Sequence, residues 1–104
     1  MLNGQIVLVT GASRGIGNAI ALTLGGAGAT VIGTATSEEG ADNISKIFSE
    51  SDILGKGMKL NVTDNDQITS VLKAVTDEYG AVDVLINNAG IARDNILVRM
   101  KEEE

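Results

Sequence analysis

Near the start of the chain, Gln5-Ile-Val-Leu-Val-Thr10 runs directly into Gly11-Ala-Ser-Arg-Gly-Ile-Gly17. An unbroken Ile/Val/Leu run such as residues 6–9 is typical of a parallel strand that is buried on both faces. Glycines at positions 11, 15 and 17 allow a tight turn, a close approach of the backbone to a bound group, and close packing of the following helix. The sequence therefore predicts a strand, a glycine-rich loop and a helix that opens at about Gly15.

The loop has the spacing Gly-x-x-x-Gly-x-Gly, which differs from the Gly-x-Gly-x-x-Gly of the best-known dinucleotide fingerprint. The helix after it points free N–H groups and the positive end of its dipole at whatever the loop holds, and this favours a pyrophosphate. The alternative is a purely structural strand-to-helix turn, because glycine-rich turns of that kind are common.

Composition limits the classes of function. The 104 residues carry a net charge of −6 and scattered Lys and Arg, so no basic stripe indicates nucleic-acid binding. The absence of Cys and His excludes thiolate and imidazole chemistry and the corresponding metal ligands. No apolar run approaches the ~20 residues that span a bilayer, and the N-terminus lacks signal-peptide features. These features predict a cytoplasmic protein with no metal site, no nucleic-acid partner and no membrane association.

Strand and helix patterns alternate along almost the whole chain. Further strands are predicted at residues 30–34, 58–62 and 82–86, with helices that begin near Gly15, near Thr36-Ser37 and at Thr63-Asp64. This alternation predicts an α/β fold with a doubly wound parallel sheet of four strands in the order 3-2-1-4. Two helices should cover one face of the sheet and the third helix the other.

The C-terminal residues do not complete a further unit of the fold. Asn95–Met100 are predicted to form a short helical turn, and the acids of Lys101-Glu-Glu-Glu104 suit the first turn of another helix. The fourth strand should therefore have an open edge, which favours association or aggregation.

The end of the second strand indicates which nicotinamide cofactor would be preferred. In dinucleotide-binding folds, an acid about 20 residues beyond the glycines binds the 2′-hydroxyl of NAD. Here that place holds Thr36 and Ser37, and the first acids, Glu38 and Glu39, lie in the next helix. The two hydroxyls and the Arg14 guanidinium would suit a 2′-phosphate, which predicts NADP. The alternative is that Thr36 or Ser37 is only a helix cap and Arg14 a solvated charge.

Asparagines follow the third and fourth strands. Asn61-Val62 and Asn87-Asn-Ala-Gly90 both lie at predicted carboxyl ends, where open α/β sheets bind ligands. An amide group offers a donor and an acceptor, which suits an adenine edge at Asn61 and a ribose or backbone contact at Asn88. Turn chemistry is the alternative for a single asparagine, but two of them beside a phosphate loop favour ligand binding.

Thr10–Gly17 together with Asp83-x-Leu-Ile-Asn-Asn-Ala-Gly90 resemble the cofactor motifs of the short-chain dehydrogenase/reductase family, which has a Rossmann-type fold. Val31–Ser37, Leu60–Asp64 and Asn87–Asn95 narrow the resemblance to the bacterial 3-oxoacyl-[acyl-carrier-protein] reductases, the NADPH-dependent ketoreductases of fatty-acid elongation. The resemblance implies NADP as the cofactor, an acyl-carrier protein bearing a 3-oxoacyl thioester as the partner, and a homotetramer.

The resemblance also implies cofactor-binding roles for residues in each motif. The pyrophosphate and the 2′-phosphate would be bound by Gly11, Ala12, Ser13, Arg14, Gly15, Ile16 and Gly17. Thr36 would lie on the 2′-phosphate side, and Asn61 and Val62 would flank the adenine. Asn88, Ala89 and Gly90 would lie along the path from the adenosine to the nicotinamide ribose.

The chain departs from the family in its catalytic residues. Family members use a Ser and a Tyr-x-x-x-Lys pair, whereas the only tyrosine here, Tyr79, is followed four residues later by Asp83. No catalytic residue can be named, and Tyr79 is predicted to be a packing residue at a helix end. Residues 1–104 are therefore expected to be a truncated, N-terminal NADP-binding part of a single Rossmann-type domain, inactive alone. A reductase for another ketone or sugar, or a nucleotide-binding module without catalysis, remain alternatives.

Overall fold

The computed structural model describes residues 2–13 and 15–88, together with the backbone of a strand at residues 96–99. Within these residues, helices and strands alternate from the first strand to the fourth, and a fifth strand follows. In chain order the elements are β1 (Ile6–Val9), α1 (Gly15–Gly26), β2 (Thr30–Ala35), α2 (Glu38–Glu50), β3 (Gly55–Lys59), α3 (Asn65–Glu78), β4 (Val84–Asn87) and β5 (Ile96–Arg99).

The strands form one sheet with the order β3-β2-β1-β4-β5. The pairs β1·β2, β1·β4 and β2·β3 are parallel, which confirms the predicted order 3-2-1-4 and the α/β class. The chain runs outward from β1 to β2 and β3 on one side of the sheet, and then returns through α3 to β4 on the other side of β1, so the strand order reverses at β1. Parallel sheets of this kind bind ligands where that reversal occurs, at the carboxyl ends of the strands.

Two apolar clusters lie on the two faces of the sheet, as alternate residues of β1 and β2 point in opposite directions. The first cluster packs α1 and α2 on one face and includes Val7, Val9, Ala12, Ala21, Val31, Ile44, Phe48 and Ile53. The second packs α3 on the other face and includes Ile6, Leu8, Ile32, Leu60, Val71, Val75 and Val82. This confirms the prediction that two helices cover one face of the sheet and the third helix covers the other.

The first turns of α2 and α3 are capped by side chains at the helix starts that the sequence predicts. The Ser37 hydroxyl accepts a hydrogen bond from the Gly40 N–H at 3.0 Å, and Asp64 accepts from the N–H groups of Asp66 and Gln67. These bonds satisfy donors that a helix otherwise leaves unpaired in its first turn.

The third strand differs from its predicted position. β3 covers Gly55–Lys59 instead of residues 58–62, so the strand begins three residues earlier than predicted. A Cβ at Gly57 would lie 2.1 Å from the Ala41 carbonyl oxygen, and the Gly57 N–H donates to the Ser45 hydroxyl at 2.9 Å. The glycine that resembles a loop residue therefore lets α2 lie directly against the strand.

The segment after β4 also differs from the prediction. Ile96–Arg99 form β5, antiparallel to β4, where a short helical turn and an open sheet edge were expected. A single isolated helical turn has a costly nucleus, whereas a strand gains backbone hydrogen bonds from an edge that is already formed. The start of a further helix predicted at residues 101–104 lies outside the described residues.

Of the two glycines at the end of α1, Gly25 and Gly26, only the first is required by packing. A Cβ at Gly25 would lie 2.5 Å from Cγ2 of Ile53, a buried member of the first cluster. A Cβ at Gly26 would meet nothing within 4 Å. Close packing on Ile53 therefore explains the first glycine, and nothing in the structure explains the second.

Candidate dinucleotide-binding site

The glycine-rich loop leaves β1 and is bound to the neighbouring strand. Gly11 and Gly15 adopt φ values of +65° and +66°, in the left-handed region that glycine tolerates best. The Ala12 N–H donates to the Thr34 carbonyl oxygen at 2.9 Å, and the Asn18 amide donates to the Ala12 carbonyl oxygen at 3.2 Å. Both backbone groups of Ala12 are thus occupied, which fixes the loop between β2 and the first turns of α1.

Gly17 lets α1 approach this loop closely. A Cβ at this position would lie 2.1 Å from the Gly11 carbonyl oxygen and 2.7 Å from the Asn88 side-chain nitrogen. Real side chains do not approach backbone atoms so closely, so only glycine fits without a shift of the loop, the helix or both. In contrast, a Cβ at Gly15 would meet nothing within 4 Å, so the space beside Gly15 is open.

Hydrogen bonds join the end of β4 to the end of β1. The Thr10 hydroxyl donates to the Asn87 side-chain oxygen at 3.0 Å and accepts from the Asn88 N–H at 2.8 Å. The Asn88 side-chain nitrogen donates to the Gly11 carbonyl oxygen at 3.3 Å. The position of Asn88 is therefore set by the same backbone that begins the glycine-rich loop.

A cleft of about 330 Å³ opens at the carboxyl ends of the strands. This switch-point cleft brings together four of the predicted site residues, Gly11, Ser13, Thr36 and Asn88. The other residues that line it are Thr34, Ala35 and Leu60. The open space beside Gly15, the exposed helix start and the mostly polar lining fit the phosphates and hydroxyls of a dinucleotide.

A second, wider depression of about 590 Å³ continues from Thr36 along α2. Of the two hydroxyls predicted to meet a 2′-phosphate, Ser37 is the helix cap, and Thr36 lines both this α2 groove and the switch-point cleft. The α2 groove is lined by Ser13, Ala35, Thr36, Ser37, Glu39, Gly40, Asp42, Asn43 and Lys46. Charges of both signs thus lie around it.

Asn61 and Val62 lie beside the switch-point cleft but do not line it. The Asn61 side-chain oxygen accepts from the Thr63 N–H at 3.0 Å and from the Thr63 hydroxyl at 2.7 Å. Gln67 accepts from the Asn61 N–H at 2.9 Å. This turn chemistry is the alternative that the sequence left open, and the adenine contact stays a prediction. Val62 packs against the second apolar cluster.

The remaining predicted residues fall into two groups. Ala12 is fully buried, and the Ile16 side chain is 65% exposed and lines an apolar depression on the outer side of α1. Arg14, Ala89 and Gly90 lie outside the described residues, so their predicted contacts stay predictions.

The structure adds residues that the sequence reasoning missed. Thr34 lines the switch-point cleft, Thr10 joins β1 to β4, and Asn18 holds the loop carbonyl of Ala12. Thr34 could have been found, because a hydroxyl within a central buried strand is unusual and requires a partner. Asn18 had no such signal, since an asparagine in the second turn of a helix normally faces solvent.

Tyr79 lies far from this site, at the amino-end edge of the sheet. It caps α3 and packs on the second apolar cluster, and burial raises the pKa of its hydroxyl. Beside it, Lys56 and Glu78 form an ion pair at 2.7 Å. Their hydrogen bond lowers the pKa of the Glu78 carboxyl and raises the pKa of the Lys56 ammonium. The predicted packing role of Tyr79 agrees with this position.

The described part of the chain shows neither a membrane-spanning helix nor a cluster of metal ligands. No helix there is long and apolar enough to cross a membrane. Within residues 2–13 and 15–88 and the backbone of β5, no group of three or more potential metal-ligating side chains comes together.

Known proteins are similar to this chain along almost its whole length, including the glycine-rich loop and the asparagines at the end of β4. Residues 5–104 match the family model described as short chain dehydrogenase. A 3-oxoacyl-[acyl-carrier-protein] reductase FabG of Vibrio cholerae is 63% identical over 103 residues, which are 99% of this chain and 41% of that protein. The proteins of the same name from Escherichia coli K12 and Pseudomonas aeruginosa are 61% and 48% identical, over 97% and 99% of this chain.

The chain therefore spans about two-fifths of the length of these relatives, which is 41%, 40% and 42% of the three proteins. The family match covers the glycine-rich loop, the four parallel strands and the two asparagines at the end of β4. On this evidence the chain belongs to the short chain dehydrogenase family, and a nicotinamide dinucleotide is the cofactor that this family membership implies.

Proposed function

We propose that the protein, at its full natural length, catalyses the NADPH-dependent reduction of a 3-oxoacyl thioester on acyl-carrier protein to the 3-hydroxyacyl form. The observation that carries this proposal is the 48–63% identity to relatives named for this reaction, over 97–99% of the chain. The switch-point cleft supports it, because the residues there suit a dinucleotide. Residues 1–104 would be the N-terminal, NADP-binding part of one Rossmann-type domain.

In this proposal the chain contributes binding and orientation. The loop from Gly11 to Gly17 and the start of α1 would hold the pyrophosphate, and Asn88 would contact the ribose path from the end of β4. Bound NADPH supplies the hydride. The Thr10 hydrogen bonds would keep Asn88 aligned with Gly11, so that both sides of the cleft hold the cofactor in one position.

The wider setting is also a proposal. The printed names of the relatives specify an acyl-carrier protein, and we extend that partner to this protein. The resemblance described above supports a homotetramer, and we propose that it acts in the cytoplasm.

An assay of the full natural-length protein tests the reaction. With acetoacetyl-acyl-carrier protein as the substrate, NADPH absorbance should fall with a kcat on the order of 1–10³ s⁻¹. NADH should be a much poorer reductant at equal concentration. Reduction only of sugars or of unrelated ketones would contradict the proposed substrate, and binding of NADPH without any turnover would favour a nucleotide-binding module.

Arg14→Ala tests the preference for NADP. No acid lies between the end of β2 and the Ser37 cap, and Glu38 and Glu39 follow that cap, so the place beside Thr36 carries no charge that would repel a 2′-phosphate. Arg14 is the loop cation that we expect to pair with this phosphate. A charge-assisted hydrogen bond of about 1.5–3 kcal/mol corresponds to a change of about 10- to 150-fold in Kd. Titration with NADPH and NADH should therefore show a loss of NADPH affinity and little change for NADH.

Lys73→Ala is the matched control, since Lys73 is exposed and pairs with Asp77 on α3. It removes the same charge from a surface that the proposed site does not use, and it should leave both affinities unchanged. Equal affinities for NADPH and NADH in the unmutated protein would refute the roles proposed for Arg14 and Thr36.

A further inference from the structure

One buried hydroxyl beneath the switch-point cleft has no hydrogen-bond partner among the residues that the structure describes. Thr34, in β2, is 1% exposed, and its hydroxyl oxygen makes no hydrogen bond with any residue that the structure describes. The backbone of Thr34 is hydrogen-bonded, because its carbonyl oxygen accepts from the Ala12 N–H. Buried side-chain polar atoms are nearly always paired, so the lone hydroxyl requires an explanation.

The position of Thr34 indicates where a partner would come from. Ile32 belongs to the cluster under α3, and a Cβ at Gly33 would meet Ala12 and Ile44 on the opposite face, so the alternation of β2 directs Thr34 toward the α3 face. On that face Thr34 lines the switch-point cleft, between the loop at Gly11 and Leu60, the residue that follows β3. This is the side of the cleft that leads from the pyrophosphate loop toward the ends of β2 and β3.

We infer that the Thr34 hydroxyl is a further cofactor-binding group, which hydrogen-bonds the adenosine half of the dinucleotide from the floor of the switch-point cleft. The inference rests on the proposed function, because it takes the dinucleotide as the ligand. A hydroxyl can both donate and accept, which suits the ribose oxygens and ring nitrogens of adenosine. Within residues 2–13 and 15–88 it makes no hydrogen bond, so a rotation of Thr34 about χ1 toward the ligand breaks none there.

This role predicts opposite effects on stability and on affinity. Without a ligand, the unpaired hydroxyl is a cost, so Thr34→Val should raise the Tm of the unliganded protein by a few degrees. With the ligand, the same substitution removes a hydrogen bond, and the Kd for NADPH should rise about 5- to 10-fold. A purely structural threonine would not give this combination.

The experiment compares the full natural-length protein with three variants by thermal unfolding without ligand and by titration with NADPH and with adenosine 2′,5′-bisphosphate. Thr34→Val should weaken both probes by the same factor, since the bisphosphate carries the adenosine half. Thr34→Ser keeps the hydroxyl and should keep both affinities. Thr30→Val makes the same substitution at the amino end of β2 and should leave both affinities unchanged.

Unchanged affinities in Thr34→Val would overturn the inference, as would a lower Tm in the unliganded variant, since the hydroxyl would then have a partner in the protein. A wild-type protein that binds NADPH but does not reduce the 3-oxoacyl substrate would refute the proposed reaction, while the Thr34 comparison would still decide the inference. A wild-type protein that binds neither probe would overturn both.

Discussion

Gly17→Ala is expected to lower the kcat/KM of the full natural-length protein by about 100-fold, because a misplacement of about 1 Å of the reacting groups can cost that much in rate, and to weaken its binding of NADPH. The added Cβ would lie 2.1 Å from the Gly11 carbonyl oxygen, 2.9 Å from the Gly11 carbonyl carbon and 2.7 Å from the Asn88 amide nitrogen. Two of these atoms belong to backbone that cannot rotate away. The glycine-rich loop, α1 or both must move, and the hydrogen bond between Asn88 and Gly11 should be lost.

Gly26→Ala provides the control for this substitution. It makes the same change in the same helix, but its Cβ would meet nothing within 4 Å. We expect unchanged affinity and a gain in unfolding free energy of up to about 1 kcal/mol from helix propensity. Isothermal titration with NADPH and thermal unfolding of both variants measure the two effects. Wild-type affinity in Gly17→Ala would show that the close packing of α1 is not needed for cofactor binding.

A polypeptide of residues 1–104 alone is expected not to oxidise NADPH in the presence of a 3-oxoacyl thioester. Its single tyrosine, Tyr79, lies at the amino-end edge of the sheet, where burial raises its pKa, and it cannot deliver a proton to a carbonyl in the switch-point cleft. A positioned general acid contributes a factor of about 10²–10⁴ in rate. Without it, holding part of the cofactor does not suffice for turnover.

The measurement is NADPH oxidation by the purified polypeptide, its mass confirmed, beside the same assay on the full natural-length protein. Titration of the polypeptide with NADPH establishes whether the binding half is folded. Turnover on the order of 1 s⁻¹ or faster by residues 1–104 would mean that a residue dismissed as structural is catalytic. Activity restricted to the longer protein is the expected outcome.

The sequence predicts best those elements that are determined by residues close to one another in the chain. The structure has a strand at the apolar run 6–9, a turn at the glycines 11, 15 and 17, and a helix start at the Ser37 cap. β3 was displaced by three residues, because its beginning at Gly55 is defined by pairing with Val31 and by contact with α2. β5 depends entirely on pairing with β4, which no local pattern records.

In the candidate site, too, local motifs could be predicted from the sequence, but tertiary hydrogen bonds could not. The residues that line the switch-point cleft near the glycine-rich loop were predicted from their motif, whereas the partners of a polar side chain depend on the packed structure. Asn61 was expected to meet adenine, and its oxygen is occupied by Thr63 two residues later. The sequence predicts Thr34 only as part of a strand, and only the packed structure shows that its hydroxyl has no partner in the described part of the chain.

The contact between Ser45 and Gly57 has a consequence for how this sheet meets other molecules. β3 is an outer strand, and an outer strand with unpaired N–H groups can recruit a strand from another chain and begin aggregation. Here one N–H is already bonded to the Ser45 hydroxyl, the strand is five residues long, and it carries the exposed Lys59. The β3 edge is thus short and positively charged, and one of its N–H donors is occupied, all of which oppose the addition of another strand. We therefore expect this edge of the sheet to resist cross-β contacts between molecules during folding.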